Sequence, residues 1–185
     1  MFQKSALVSS VHPRFIGLSA IFFGVVLLFG CSQISIPLHP IPITLQTVGV
    51  ILIILTYDTP KAAQTILAYI FLGALGFPMF AGYKGGIAVI LGPSGGYILG
   101  FILATFVAAP CKKLLDSYHS LINAFVLSLI ITLAIMATGL FWLSFHGGPT
   151  MAIKVGVMPF IIPGLIKSGI LSLILRSIGY FKKQG

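Results

Sequence analysis

Lys167 is the residue whose chemistry most needs an explanation. It follows Pro163-Gly164 and sits among Leu165, Ile166, Gly169 and Ile170, in a stretch otherwise free of charge. An ionisable group inside an apolar span is costly and marks a functional position. A lysine stem is long, so snorkelling to an interface is the competing reading. With a helix starting near Pro159, Lys167 lies about 12 Å along it at 1.5 Å per residue, which is deep for snorkelling. The chain has only two acidic residues, Asp58 and Asp116, and both fall in polar links between apolar runs. An anionic ligand would balance the lysine.

A second polar group is Thr44, Gln46 and Thr47, at the start of another apolar run. Threonine and glutamine offer neutral donors and acceptors that suit an amide- or urea-like group. Helix capping by Thr44 and hydrogen bonding between helices explain the same residues equally well. The third feature is the stretch 76–96, with seven glycines and two prolines. As an exposed connection it would leave Phe77, Met79, Phe80, Ile87, Val89, Ile90 and Leu91 in water. Irregular backbone at membrane depth is tolerated where it is buried or lines a cavity. The stretch therefore reads as a lid over a pocket.

Other chemistries lack their residues. There are no paired carboxylates within apolar runs, no HExxH and no Walker motif. Gly92-Pro93-Ser94-Gly95-Gly96 places a serine among glycines but without GxSxG spacing. Cys31 and Cys111 lie in different segments, and His12, His39, His119 and His146 are scattered near segment ends. Neither a disulfide framework nor a metal site is indicated, so no cofactor and no enzyme activity are expected.

The elements that must position these groups are membrane helices. Of 185 residues, 58% are hydrophobic and 7% charged. A soluble domain carries about a quarter charged residues. A membrane helix needs about 20 mainly apolar residues, so the chain has room for six and little else. The expected spans are 15–36, 43–57, 61–76, 95–109, 119–145 and 158–178, in one domain covering 1–185. Pro37, Pro40 and Pro42 end the first run, because each removes a backbone N–H and restricts its predecessor. Pro110 to Asp116 reads as a polar link, and His146-Gly147-Gly148-Pro149 as a turn. Leu28-Phe29-Gly30-Cys31 has the look of a lipoprotein cleavage box, but Phe29 fits it poorly, and 15–36 is kept as the first span.

The net charge of +9 does not indicate nucleic acid, since the basic residues punctuate apolar runs and form no stripe. They act as topology signals. With the N-terminus inside, Lys4, Arg14, Lys61, Lys112, Lys113, Arg176, Lys182 and Lys183 lie on the inner side, against Lys84 and Lys154 outside. Both termini are then cytoplasmic, and the protein is a multi-pass component of the cytoplasmic (inner) membrane, in contact with lipid.

Three segments carry a specific resemblance. Ile36-Pro37-Leu38-His39-Pro40-Ile41-Pro42-Ile43-Thr44-Leu45-Gln46-Thr47 resembles the first signature of the BioY family. These are the biotin-binding membrane subunits, or S components, of energy-coupling factor (ECF) transporters. Gly73 to Gly82, Gly85-Gly86 and Leu91 to Tyr97, ending at Gly100-Phe101, resemble the second. Val157-Met158-Pro159-Phe160 with Lys167 resembles the sixth-span motif, and the likeness covers about residues 15–180. The family's acidic residue three before the lysine is Gly164 here.

The resemblance implies an all-α bundle of six membrane helices that holds biotin near the outer face. It implies Lys167 for the biotin carboxylate, and Gln46 and Thr44 for the ureido head. Phe80, Tyr83 and Tyr97 would pack on tail and rings, under a lid containing Gly82 and Gly86. It implies partners as well, a transmembrane coupling protein and ATPase subunits, because this chain has no energy source. Docking through small residues of the first helix would use Ala20 and Gly24, whose spacing suits internal packing too. An S component for a different vitamin, or a ligand-free structural membrane protein, are the alternatives.

Overall fold

In the computed structural model, residues 13–115 and 121–177 are described, with side chains for 17–113 and 121–175. Lys4, His12, Asp116, His119, Lys182 and Lys183, and the side chains of Arg14 and Arg176, lie outside that set. Six long helices build an all-α bundle: α1 (Pro13–Gln33), α2 (Gln46–Thr56), α3 (Thr59–Ala74), α5 (Gly95–Leu115), α6 (Leu121–Gly156) and α7 (Met158–Ser177). A five-residue helix, α4 (Ile87–Leu91), lies inside the glycine-rich stretch. Between α1 and α2, β1 (Ser35–Ile36) pairs antiparallel with β2 (Ile43–Thr44), with Ser35 opposite Thr44.

The helices are apolar all round, as helices buried on one side and wetted by lipid on the other must be. Segments Gly95–Lys113, Leu121–Gly156 and Met158–Leu175 are long and apolar enough to cross a bilayer by length and composition. Phe22, Phe23, Leu133, Phe141 and Ile162 are all more than 60% exposed, on surface that only lipid would suit. The core holds Leu28, Ile51, Ile66, Ile131, Leu143 and Leu171, each nearly or fully buried.

Small residues set the close approaches, as expected where lipid supplies no hydrophobic drive. A Cβ on Gly24 would lie 2.6 Å from Thr65 Cγ2 of α3. Ala20 is half-buried and its carbonyl accepts the Tyr57 hydroxyl at 2.8 Å. Within this chain, Gly24 therefore sets the approach of α1 to α3, and the Ala20 carbonyl ties α1 to Tyr57. On the α5–α6 face, a Cβ on Gly100 would lie 3.2 Å from the Ile135 backbone.

Three boundaries differ from the sequence reading. α5 passes through Pro110 and carries Lys112 and Lys113 in its last turn, so the expected polar link is helical. Lys112 Nζ donates to the carbonyls of Ile54 at 2.8 Å and Tyr57 at 2.9 Å. It satisfies orphan acceptors at the end of α2 and complements that helix's dipole. α6 does not end near 145. Gly148 (φ 81°, ψ 163°) breaks it, and helix resumes from Pro149 to Gly156. The expected span 43–57 begins as strand, with helix only from Gln46.

Candidate functional site

One end of the bundle encloses a cavity of about 130 Å³. That is roughly ten times the space that admits a single water molecule. The hairpin supplies Pro40, Ile41, Pro42 and Thr44, and α2 supplies Gln46, Thr47 and Ile51. Phe80, Ala81, Lys84 and Val89 come from the glycine-rich stretch, and Ser94, Tyr97, Ile98 and Phe101 from its junction with α5. α6 adds Thr132, Ile135 and Met136, while α7 adds Phe160, Gly164 and Lys167.

Lys167 lies nine residues into α7, and helical side chains lean toward the N-terminus. The stem therefore reaches toward the cavity end of the bundle. Its Nζ donates to the Thr44 carbonyl at 2.6 Å and to Thr47 Oγ1 at 3.2 Å. An ammonium has three donors, so one remains for the cavity. Among the described residues the only carboxylate is Asp58, at the α2–α3 turn, paired with Lys61 at 3.0 Å. Lys61 holds that carboxyl below its usual range. Two cations, Lys84 and Lys167, thus line the cavity without an acidic partner among these residues.

The aromatic walls are fixed by missing side chains beneath them. Phe80 lies where a Cβ on Gly73 would sit, and its ring meets that of Tyr69 edge-on at 5.8 Å. Tyr97 occupies the space of a Cβ on Gly139, stacks on Phe160 at 5.9 Å, and donates to the Gly156 carbonyl at 2.7 Å. The resumed part of α6 therefore closes one side of the pocket.

The glycine-rich stretch is pinned rather than loose. Ser32 donates to the Met79 carbonyl at 2.7 Å. Gln33 Nε2 reaches the Phe80 carbonyl at 3.2 Å, and its Oε1 accepts from the Tyr83 N–H at 3.0 Å. At the far end, Trp142 Nε1 donates to the Gly92 carbonyl at 3.0 Å, and His146 Nε2 lies 3.1 Å from the Leu91 carbonyl. Five named groups on α1 and α6 hold both ends of the lid.

Of the residues expected in the site, Thr44, Gln46, Phe80, Tyr97 and Lys167 line the cavity, whereas Gly82, Tyr83 and Gly86 do not. Tyr83 is 67% exposed, at φ 58°, with its ring against Phe29 of α1. Gly82 (φ 71°) and Gly86 (φ 94°) take left-handed backbone, which glycine adopts without a steric penalty, and so shape the lid. Lys167 and the Thr44–Thr47 group, expected at opposite ends of a ligand, touch each other. Lys84, read from sequence as a topology signal, lines the pocket. Thr132, Ile135 and Met136 look like ordinary span residues, and no local signal marks them.

Fold and cavity together define a class: a polytopic helical membrane protein that encloses a small-molecule pocket with cationic, aromatic and amide groups on its wall. A sequence profile of the BioY family matches residues 5–183, and the chain belongs to that family. The probable biotin transporter BioY of Pyrococcus horikoshii is 40% identical over 147 residues, 80% of this chain and 86% of its own. That of Rickettsia prowazekii is 34% identical over 176 residues, 95% and 89% of the two chains. The biotin transporter BioY of Thermotoga maritima is 39% identical over 144 residues, 77% and 83%. A crystal structure described as the S-component for biotin from an ECF-type ABC transporter shares the fold. Its TM-score is 0.80 at 23% identity, covering 95% of this chain and 96% of that one.

Proposed function

We propose that the protein is the biotin-binding subunit of a vitamin importer. It captures biotin at the outer face of the cytoplasmic membrane, and a separate transmembrane coupling protein with ATPase subunits drives uptake. The observation that carries this reading is the single wall bearing a free ammonium donor, an amide and stacked aromatics around one enclosed space. Biotin offers a ureido head, an apolar bicycle and tail, and a terminal carboxylate. Family membership and the names of the relatives support the choice of ligand.

The contact between Lys167 and Thr44 redistributes the roles expected from sequence. Biotin separates its ureido group from its carboxylate by a ring system and an alkyl tail. One small cluster cannot serve both ends of an extended molecule. Lys167 therefore donates to the ureido oxygen beside Gln46 and the threonines, and Lys84, carried by the lid, meets the carboxylate. Burial of the ring and tail against Phe80, Tyr97 and Phe160 contributes roughly 25 cal/mol per Å².

Titration of purified protein with biotin and with neutral biotin amide tests this assignment. Lys84→Gln is expected to weaken biotin about tenfold and leave the amide unchanged. Lys167→Gln is expected to weaken both ligands alike. Loss of biotin affinity alone in Lys167→Gln would return the carboxylate to Lys167.

A further inference from the structure

Tyr69 lies outside the cavity, on α3, fully buried and locked edge-on against the Phe80 ring. Its hydroxyl is 2.6 Å from the Met79 carbonyl. A carbonyl cannot donate, so the single tyrosine proton is committed to it. The Met79 carbonyl also accepts from Ser32, which its two lone pairs allow. The Gln46 carboxamide approaches the same hydroxyl oxygen at 3.1 Å. With the proton spent on Met79, that oxygen can only accept, and the amide must turn its nitrogen toward it. Gln46 Oε1 is then forced to the other side. It makes no hydrogen bond among the described residues, and none of their sealed side-chain polar atoms lacks a partner. It therefore opens onto the cavity that Gln46 lines.

We infer that Tyr69 is a positioning residue that sets the specificity of the pocket, by holding the Gln46 amide with its carbonyl toward the ligand. The inference rests on the biotin reading above and deepens it. Lys167 brings a donor to the cavity, and Gln46, so oriented, brings an acceptor. The pair demands a ligand with a carbonyl beside an N–H, as in a urea, and leaves Gln46 unmatched by a ligand whose nitrogens carry no hydrogen. Because Gly164 provides no side-chain acceptor on α7, this demand falls on Gln46.

The test is competition against labelled biotin in membrane vesicles carrying the full chain, with biotin and biotin methylated on both ureido nitrogens. Binding of labelled biotin by the wild type is read separately, so failure of the biotin reading is distinct from failure of this one. The wild type is expected to prefer biotin. In Tyr69→Phe the amide is free to turn, and the preference ratio falls roughly tenfold. Ser32→Ala, which loosens the same Met79 carbonyl without releasing Gln46, keeps the wild-type ratio. A merely structural tyrosine would weaken both ligands in parallel, and an unchanged ratio in Tyr69→Phe overturns the proposal. Should that variant fail to accumulate, Gln46→Leu carries the test. It removes the acceptor from the cavity, so the ratio should fall as in Tyr69→Phe. An unchanged ratio in Gln46→Leu would show that no Gln46 oxygen reads the ligand, and would equally overturn the proposal.

Discussion

At the scale of single residues, the pocket is defined as much by Gly164 as by the groups that are present. A Cβ built on Gly164 meets only Thr132 Cγ2, at 3.4 Å, an ordinary contact. The position lines the cavity one turn from Lys167. An aspartate there has room, pairs with the lysine at helical spacing, and offers the ureido N–H groups a charged acceptor. Gly164→Asp is therefore expected to tighten biotin binding about tenfold, read by calorimetry. Unchanged or weaker affinity would show that the ureido head does not approach α7. Lys167, Gln46 and Thr44 were legible in the sequence because polar groups stand out in apolar runs. Lys84 was not, since a lysine in a loop reads as a topology signal. Tyr83 misled because an aromatic among glycines suggests a wall, while its left-handed backbone directs the ring to α1.

At the scale of elements, composition predicted the helices well and their ends poorly. Prolines 37, 40 and 42 did stop the first run, and the chain forms a short hairpin there. Pro110 did not stop α5. Its missing N–H costs one bond, and the cluster of lysines beyond it is useful at a helix C-terminus. Gly148, rather than the whole His146–Pro149 segment, interrupts α6, because a single positive φ redirects the chain and Pro149 is pre-set to begin the next turn. No composition signal separates a lysine that marks topology from one that caps a neighbour. Lys112 does the latter, and Lys112→Met should leave the Ile54 and Tyr57 carbonyls unpaired in a part-buried site. The expected loss is about 1–3 kcal/mol, seen as a lower melting temperature with biotin affinity nearly unchanged. An unaltered melting temperature would show that water or lipid satisfies those carbonyls as well.

At the scale of the whole molecule, the cavity and the α2–α3 turn lie at opposite ends of the bundle. Lys61 and Lys112 gather at the turn end, and Lys84 and Lys154 at the other. The orientation proposed from the charge bias would put the lysine-rich end in the cytoplasm and the pocket outward. In a chain with Cys31 and Cys111 replaced, a cysteine at Lys84 should react with a membrane-impermeant maleimide added to intact cells. One at Lys61 should react only after the membrane is opened. The opposite pattern would invert the topology and make capture from outside impossible. The number of bundle helices was legible from total apolar length. The packing of Gly24 against α3 was not, because small-residue spacing looks the same whether a helix meets its own bundle or another protein.

Equilibrium titration of the purified chain with biotin tests the central claim most directly, with Ala81→Trp as the companion variant. Ala81 lines the cavity from the lid, so the larger side chain takes up space in it while Lys167 and Gln46 are left unsubstituted. The wild type is expected to bind one biotin per chain at micromolar concentration or tighter, and Ala81→Trp to lose that binding while keeping its fold. No binding by the wild type at micromolar biotin, or full binding by the filled variant, would contradict it.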